Sequence, residues 1–194
     1  MSLIPAFEIG IWNAWIFMIY TLLPLPLFML INRGALKAEE LHADSPLSKT
    51  EKRISMFATL VHVLAIIYSI FLPLQLGTTW FYVGLPICLL GLVIFTVAMV
   101  NFATTPLDNK PSTQGVYRYS RHPMYFSMSL LLIGVSIASA SWLFLLFSVV
   151  SVILFRIVVV SEERFCFRKY GEAYREYVNR TPRWIGVPKA GKID

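Results

Sequence analysis

Three stretches of this chain contain no Lys, Arg, Asp or Glu: from Glu8 to Arg33, from Arg53 to Asp108, and from Arg121 to Arg156. That segregation limits the available folds more than any other feature. A bilayer core of about 30 Å takes roughly 20 apolar helical residues to cross. The first stretch therefore holds one span. The second holds two, with LPLQLGTT (72–79) as the break between them. The third is split by a turn at SIASAS (136–141) into two helices near the lower limit for crossing, so the last should continue through Arg156 to about Val160. The expected spans are roughly 10–32, 54–73, 80–101, 123–139 and 142–160. Only 14% of residues are charged and mean hydropathy is +0.65, whereas a soluble domain has about 25% charged. The expected fold is an all-α polytopic membrane protein with about five transmembrane helices and a cytoplasmic C-terminal helical segment.

The formal charge of +6 raises nucleic acid as a partner, but its placement argues for topology. Arg33, Lys37, Lys49, Lys52 and Arg53 fall in the first loop, and Lys110, Arg118 and Arg121 in the third. The remaining basic residues, Arg156 apart, follow the last span. With five spans every basic segment lies on one side, as the positive-inside rule asks. The N-terminus is read as outside and the C-terminus as cytoplasmic, with membrane lipids as partners and no nucleic acid. No cleavage site follows a short apolar region, so the first span reads as mature structure. Cys88 and Cys166 sit in a span and beyond one, and no CxxC, HExxH or other metal spacing occurs. No metal is expected.

Two regions follow: an N-terminal membrane region, 1–104, and a core, 105–194. In the first, Pro24 and Pro26 should kink or loosen their helix. His62 has two readings, a helix-to-helix hydrogen bond or an intramembrane functional group. In the second, the run from Asn101 to Phe126 is rich in Pro, Thr, Asn and Gly and should be irregular backbone near the interface, which is tolerated where it lines a cavity or is buried in protein. Phe167, Tyr170, Tyr174 and Tyr177 form one helical stripe, interrupted by Gly171 and ended by Pro182. That helix either lies on the membrane surface or docks over the loop as a lid.

Two constellations carry chemistry. In RHPMY (121–125), proline is favoured at the first helical position and holds its predecessor extended, so a helix should begin at Pro123 with its first amides facing the loop. Such a terminus favours anions, and Arg121 and His122 stand at it with Tyr125 beside them. The plain alternative is an interfacial belt of Arg and Tyr. The second constellation is Glu162-Glu163 at the end of the last span, where helix carbonyls disfavour carboxylates. A solvated surface pair is the plain alternative here. The apolar hairpin between the two motifs returns the pair to the side where RHPMY begins. An anion-binding mouth facing carboxylates suits a zwitterion, and S-adenosylmethionine is one.

GVYRYSRHPMY, the apolar hairpin, and EERFCFRKYGEAYREYVNRTPRW together resemble the integral membrane methyltransferases of the isoprenylcysteine carboxyl methyltransferase and phospholipid methyltransferase family, over roughly residues 105–186. The resemblance implies S-adenosylmethionine as cofactor, with Tyr117, His122, Pro123, Met124, Tyr125 and Glu162 lining its pocket and Glu163 in support; Arg121 joins the cofactor-binding candidates from its place at the helix mouth. It also implies that backbone around Lys110, Pro111 and Ser112 holds the adenine. Isoprenylcysteine enzymes place a substrate-binding arginine where this chain has Val158, which leaves Arg156 as the nearest candidate for the catalytic site. The implied reaction is methyl transfer to a lipophilic, membrane-resident substrate. An acceptor carboxylate is already ionised at neutral pH and needs a cation rather than a base, which favours a carboxylate over an amine. The rivals are an NADPH-dependent sterol-type membrane reductase, which shares an RHP-like element and a similar tail, and a non-enzymatic transporter or scaffold.

Overall fold

The computed structural model describes residues 7–22, 48–105 and 110–188. Among them the chain is helical, with one isolated antiparallel bridge between Asn13 and Pro73. The helices are α1 (Trp15–Met18), α2 (Lys49–Ile70), α3 (Thr79–Thr104), α4 (Pro123–Ala138), α5 (Trp142–Tyr170) and α6 (Glu172–Arg180). Pro24, Pro26 and most of the first polar loop lie outside the described residues.

Three helices, α2, α3 and α5, are long and apolar enough to cross a membrane, and α4 is a shorter apolar helix. The expectation that a helix begins near residue 10 is corrected. Residues 8–14 instead pair with the break after α2. Ala14 N donates to the Leu72 carbonyl (2.9 Å) and Leu74 N to that of Trp12 (3.0 Å). Asn13 Nδ2 closes the join by donating to the carbonyls of Glu8 (2.6 Å) and Ile70 (2.7 Å). Protein partners satisfy this backbone, so it needs no helix.

The α2 helix begins earlier than expected, at Lys49. Ser48 Oγ accepts from Glu51 N (3.2 Å) and Ser48 N donates to the Glu51 carboxylate (2.8 Å), a reciprocal capping box. In α2, His62 Nε2 lies 3.1 Å from the Thr21 hydroxyl, the helix-to-helix bond of the first reading. Small residues seat α3 on α4. A Cβ placed on Gly91 would lie 2.9 Å from Leu131 N, and one on Gly134 2.7 Å from Cys88 N. Backbones come this close only where small residues line the seam. Leu131, Leu132, Val135 and Phe144 complete the buried centre with Met18 and Leu72.

The α4–α5 hairpin turns at Ala140, which has φ +49°, and Ser141 Oγ caps α5 by accepting from Phe144 N (3.2 Å). The hydroxyls of Ser136 and Ser148 meet across the hairpin at 2.8 Å. α5 does not stop near Val160 but runs on to Tyr170. Nothing in RIVVVSEERF breaks a helix. The change at the membrane boundary is in side-chain polarity, which the backbone does not sense. The break comes at Gly171, with φ +55°, a left-handed conformation that glycine adopts without penalty.

Candidate active site

The helix mouth forms where RHPMY predicts it. Pro123 is the first residue of α4, His122 is its N-cap with φ −130°, and the His122 side chain makes no capping bond. No acidic residue stands in the first turn. The positive end of α4 thus has neither a side-chain cap nor an acidic residue in its own first turn, the condition under which a helix N-terminus favours an anion.

The α4–α5 hairpin delivers the carboxylate pair to that mouth. The Tyr125 hydroxyl donates to Glu162 Oε1. His122 lies between the two acids, with Nδ1 3.6 Å from Glu162 Oε2 and Nε2 3.3 Å from Glu163 Oε1. The two neighbours differ sharply in surroundings. The Glu162 side chain is 40% exposed, the less enclosed of the two, and Tyr125 holds it in place. Glu163 is 5% exposed and surrounded by donors. Arg121 reaches it through Nε (2.9 Å) and Nη2 (2.8 Å). Arg183 reaches it through Nε (3.2 Å) and Nη2 (2.6 Å). Two guanidinium forks compensate a buried charge that would otherwise be costly to desolvate.

Arg121 was expected to face a ligand at the mouth. Its guanidinium is occupied within the protein, by Glu163 and by the carbonyls of Val178 (3.2 Å) and Thr181 (2.8 Å). It is the anchor of the C-terminal segment. That segment docks over the loop: Arg121 N donates to the Pro182 carbonyl (3.0 Å), Gly186 N to that of Tyr119 (3.0 Å), and the Tyr177 hydroxyl to that of Tyr117 (2.7 Å). Tyr174 and Tyr177 are buried. Half of the aromatic stripe thus packs against protein, as the lid reading requires, while Phe167 stays exposed. Burial pushes the phenols of Tyr117, Tyr174 and Tyr177 well up, so all three are neutral donors at physiological pH. Its hydrogen bonds to Glu163 push the Arg183 guanidinium above the ordinary arginine value.

Of the other expected residues, Tyr117 is buried with its ring 6.4 Å from that of Phe102, and Met124 is half-buried in the first turn of α4. Lys110 is exposed and Pro111 and Ser112 are half-buried, in backbone without regular secondary structure, with the Ser112 hydroxyl 3.0 Å from that of Thr105. Arg156 is not brought to the carboxylates. It is exposed on α5, and its guanidinium lies over the Trp184 ring at 6.0 Å. Val158 faces a cleft of about 320 Å³ between the first turns of α2 and the later part of α5, beside Ser161 and the Arg164–Glu51 ion pair (2.5 Å).

Sequence reasoning missed two residues, Ser120 and Arg183. The Ser120 hydroxyl accepts from His122 N (3.1 Å) and donates to the Arg183 carbonyl (3.3 Å). For Arg183 one signal was present: Pro182 ends α6, so the next residue starts a returning chain that can reach the loop.

No curated protein is matched by this chain. A family model described as phospholipid methyltransferase matches residues 81–173. That stretch contains the mouth of α4, the whole hairpin and both carboxylates, and stops short of the docked segment that carries Arg183. The site is thus built inside the matched region, and over residues 81–173 the chain is similar to the phospholipid methyltransferases.

Proposed function

We propose that this membrane methyltransferase takes its methyl group from S-adenosylmethionine and transfers it to a lipophilic acceptor drawn from the bilayer, at a carboxylate. The observation that carries the reading is the pairing of unlike ends. An uncapped helix mouth at Pro123 faces a half-exposed carboxylate, Glu162, held by Tyr125. This donor set fits a zwitterion. The mouth of α4 takes its carboxylate, Glu162 takes its ammonium or ribose hydroxyls, and Tyr117, Met124 and Tyr125 supply apolar wall. The resemblance assigns the adenine to the backbone of Lys110 to Ser112, and the proposal keeps that assignment.

When bound, the cofactor supplies a methyl group on a positively charged sulfur, which an in-line nucleophile accepts. The residues of this chain orient the partners and exclude water. In this reading the cofactor takes up Glu162, and Glu163 is saturated by Arg121 and Arg183, so neither is left to deprotonate an acceptor. An acceptor carboxylate needs no such base. Arg156, on an exposed side of α5 beside Trp184, is the cation available to hold it. The positive-inside pattern puts this end of the hairpin on the cytoplasmic face, with the N-terminus outside.

The test is calorimetry on the purified protein. S-adenosylhomocysteine should bind and NADPH should not. Glu162→Gln should weaken that binding by about 1.5–3 kcal/mol, the loss of one charge-assisted hydrogen bond, with thermal stability retained. Unchanged affinity would remove Glu162 from the site, and preferential NADPH binding would turn the assignment to a reductase. Labelled S-adenosylmethionine with a membrane lipid extract would then identify the acceptor.

A further inference from the structure

We propose that Arg183 is a positioning residue, and that its fork on Glu163 latches the C-terminal segment over the mouth of α4 and fixes His122 in place. The inference rests on the cofactor site proposed above and assigns a role to a residue outside the stretch that carries the family match.

Arg183 reaches His122 by two routes. Its side chain holds Glu163, whose Oε1 lies 3.3 Å from His122 Nε2. Its carbonyl accepts from the Ser120 hydroxyl, which accepts in turn from His122 N. Both the ring and the amide of His122 are thus tied to one residue of the returning chain. The two Glu163 oxygens are also held unequally. Oε1 faces Arg121, His122 and Arg183 Nε, whereas Oε2 receives Arg183 Nη2 at 2.6 Å. Without Arg183, Oε2 loses that donor in a buried setting, and the carboxylate is free to turn further toward Arg121. Such a turn carries Oε1 away from the imidazole. Lysine cannot replace the fork, because a point charge meets one oxygen where guanidinium meets two.

A latch and a merely structural contact predict different results. In full-length protein in lipid nanodiscs, Arg183→Gln should weaken S-adenosylhomocysteine binding about 10-fold or more, the scale of one lost charge-assisted bond. The melting temperature should change little, because Arg121 and Tyr177 still hold the segment. Amide exchange at Arg121 and Gly186, which bond across the docked seam, should quicken. Arg183→Lys should fall between the two proteins, with charge kept and fork lost. Ser120→Ala breaks the main-chain route alone and should weaken binding while leaving the Glu163 pair intact, so it serves if Arg183→Gln does not fold. Wild-type affinity in all three variants overturns the proposal, as does unchanged exchange in Arg183→Gln. A wild-type protein that fails to bind S-adenosylhomocysteine overturns the function proposed above instead. The exchange data then decide by themselves whether Arg183 is a latch.

Discussion

Glu162 and Glu163 are adjacent in sequence and consecutive on one helix, yet they have opposite tasks. Successive helical positions differ by about 100° in direction, so one side chain faces the mouth of α4 and the other the docked segment. A doublet of acids thus yields one presented carboxylate and one internal tie. Arg156 lies about two turns earlier on an exposed side of the helix, and an exposed cation within a span has either a functional or a snorkelling role. Arg156→Leu separates them. The substitution should abolish methyl transfer to the lipid acceptor and leave S-adenosylhomocysteine affinity at the wild-type value. Full transfer by the variant would leave snorkelling, aided by the Trp184 ring, as the whole account. The Glu–Glu motif and RHPMY were legible in the sequence because their residue types are costly where they stand. The division of labour between the two acids was not, since it depends on which neighbours arrive from Arg183 and Tyr125.

At the scale of elements, the site depends on the placement of α4. Its 16 residues span about 24 Å, short of the ~30 Å core, so it needs close support from α3. That support is the seam of Gly84, Cys88 and Gly91 against Ser127, Leu131, Gly134 and Ala138. Gly134→Val should place its Cβ against the Cys88 backbone and cost about 1–3 kcal/mol by overpacking. A lowered melting temperature in detergent checks this, with the lipid-exposed control Val93→Ala unchanged. The break between α5 and α6 follows the same logic. Gly171 holds φ +55° with open space around its Cβ position, so Gly171→Ala should destabilise through backbone strain alone. A loss near 1 kcal/mol, with loosened protection of α6, is the expected result.

For the whole molecule, the charge pattern implies an orientation that reporter fusions can read. A reporter active only on the non-cytoplasmic side should score when fused after Gly77 or Ala140 and be silent after Pro188, following the positive-inside rule. The reverse pattern would place the carboxylate end of the hairpin outside. A membrane-spanning all-helical chain was determined by the sequence by itself, because apolar runs without charge have few other stable solutions in water or lipid. The same holds for the start of α4 at Pro123, which proline geometry dictates locally. Tertiary structure alone decided that residues 8–14 pair with the α2–α3 break instead of starting a helix, that Arg121 ties down the tail, and that Arg156 faces outward over Trp184. Each of these depends on a partner distant in sequence: Leu72, Thr181 or Trp184. Local propensity and periodicity carry no information about such partners, and only packing brings them together.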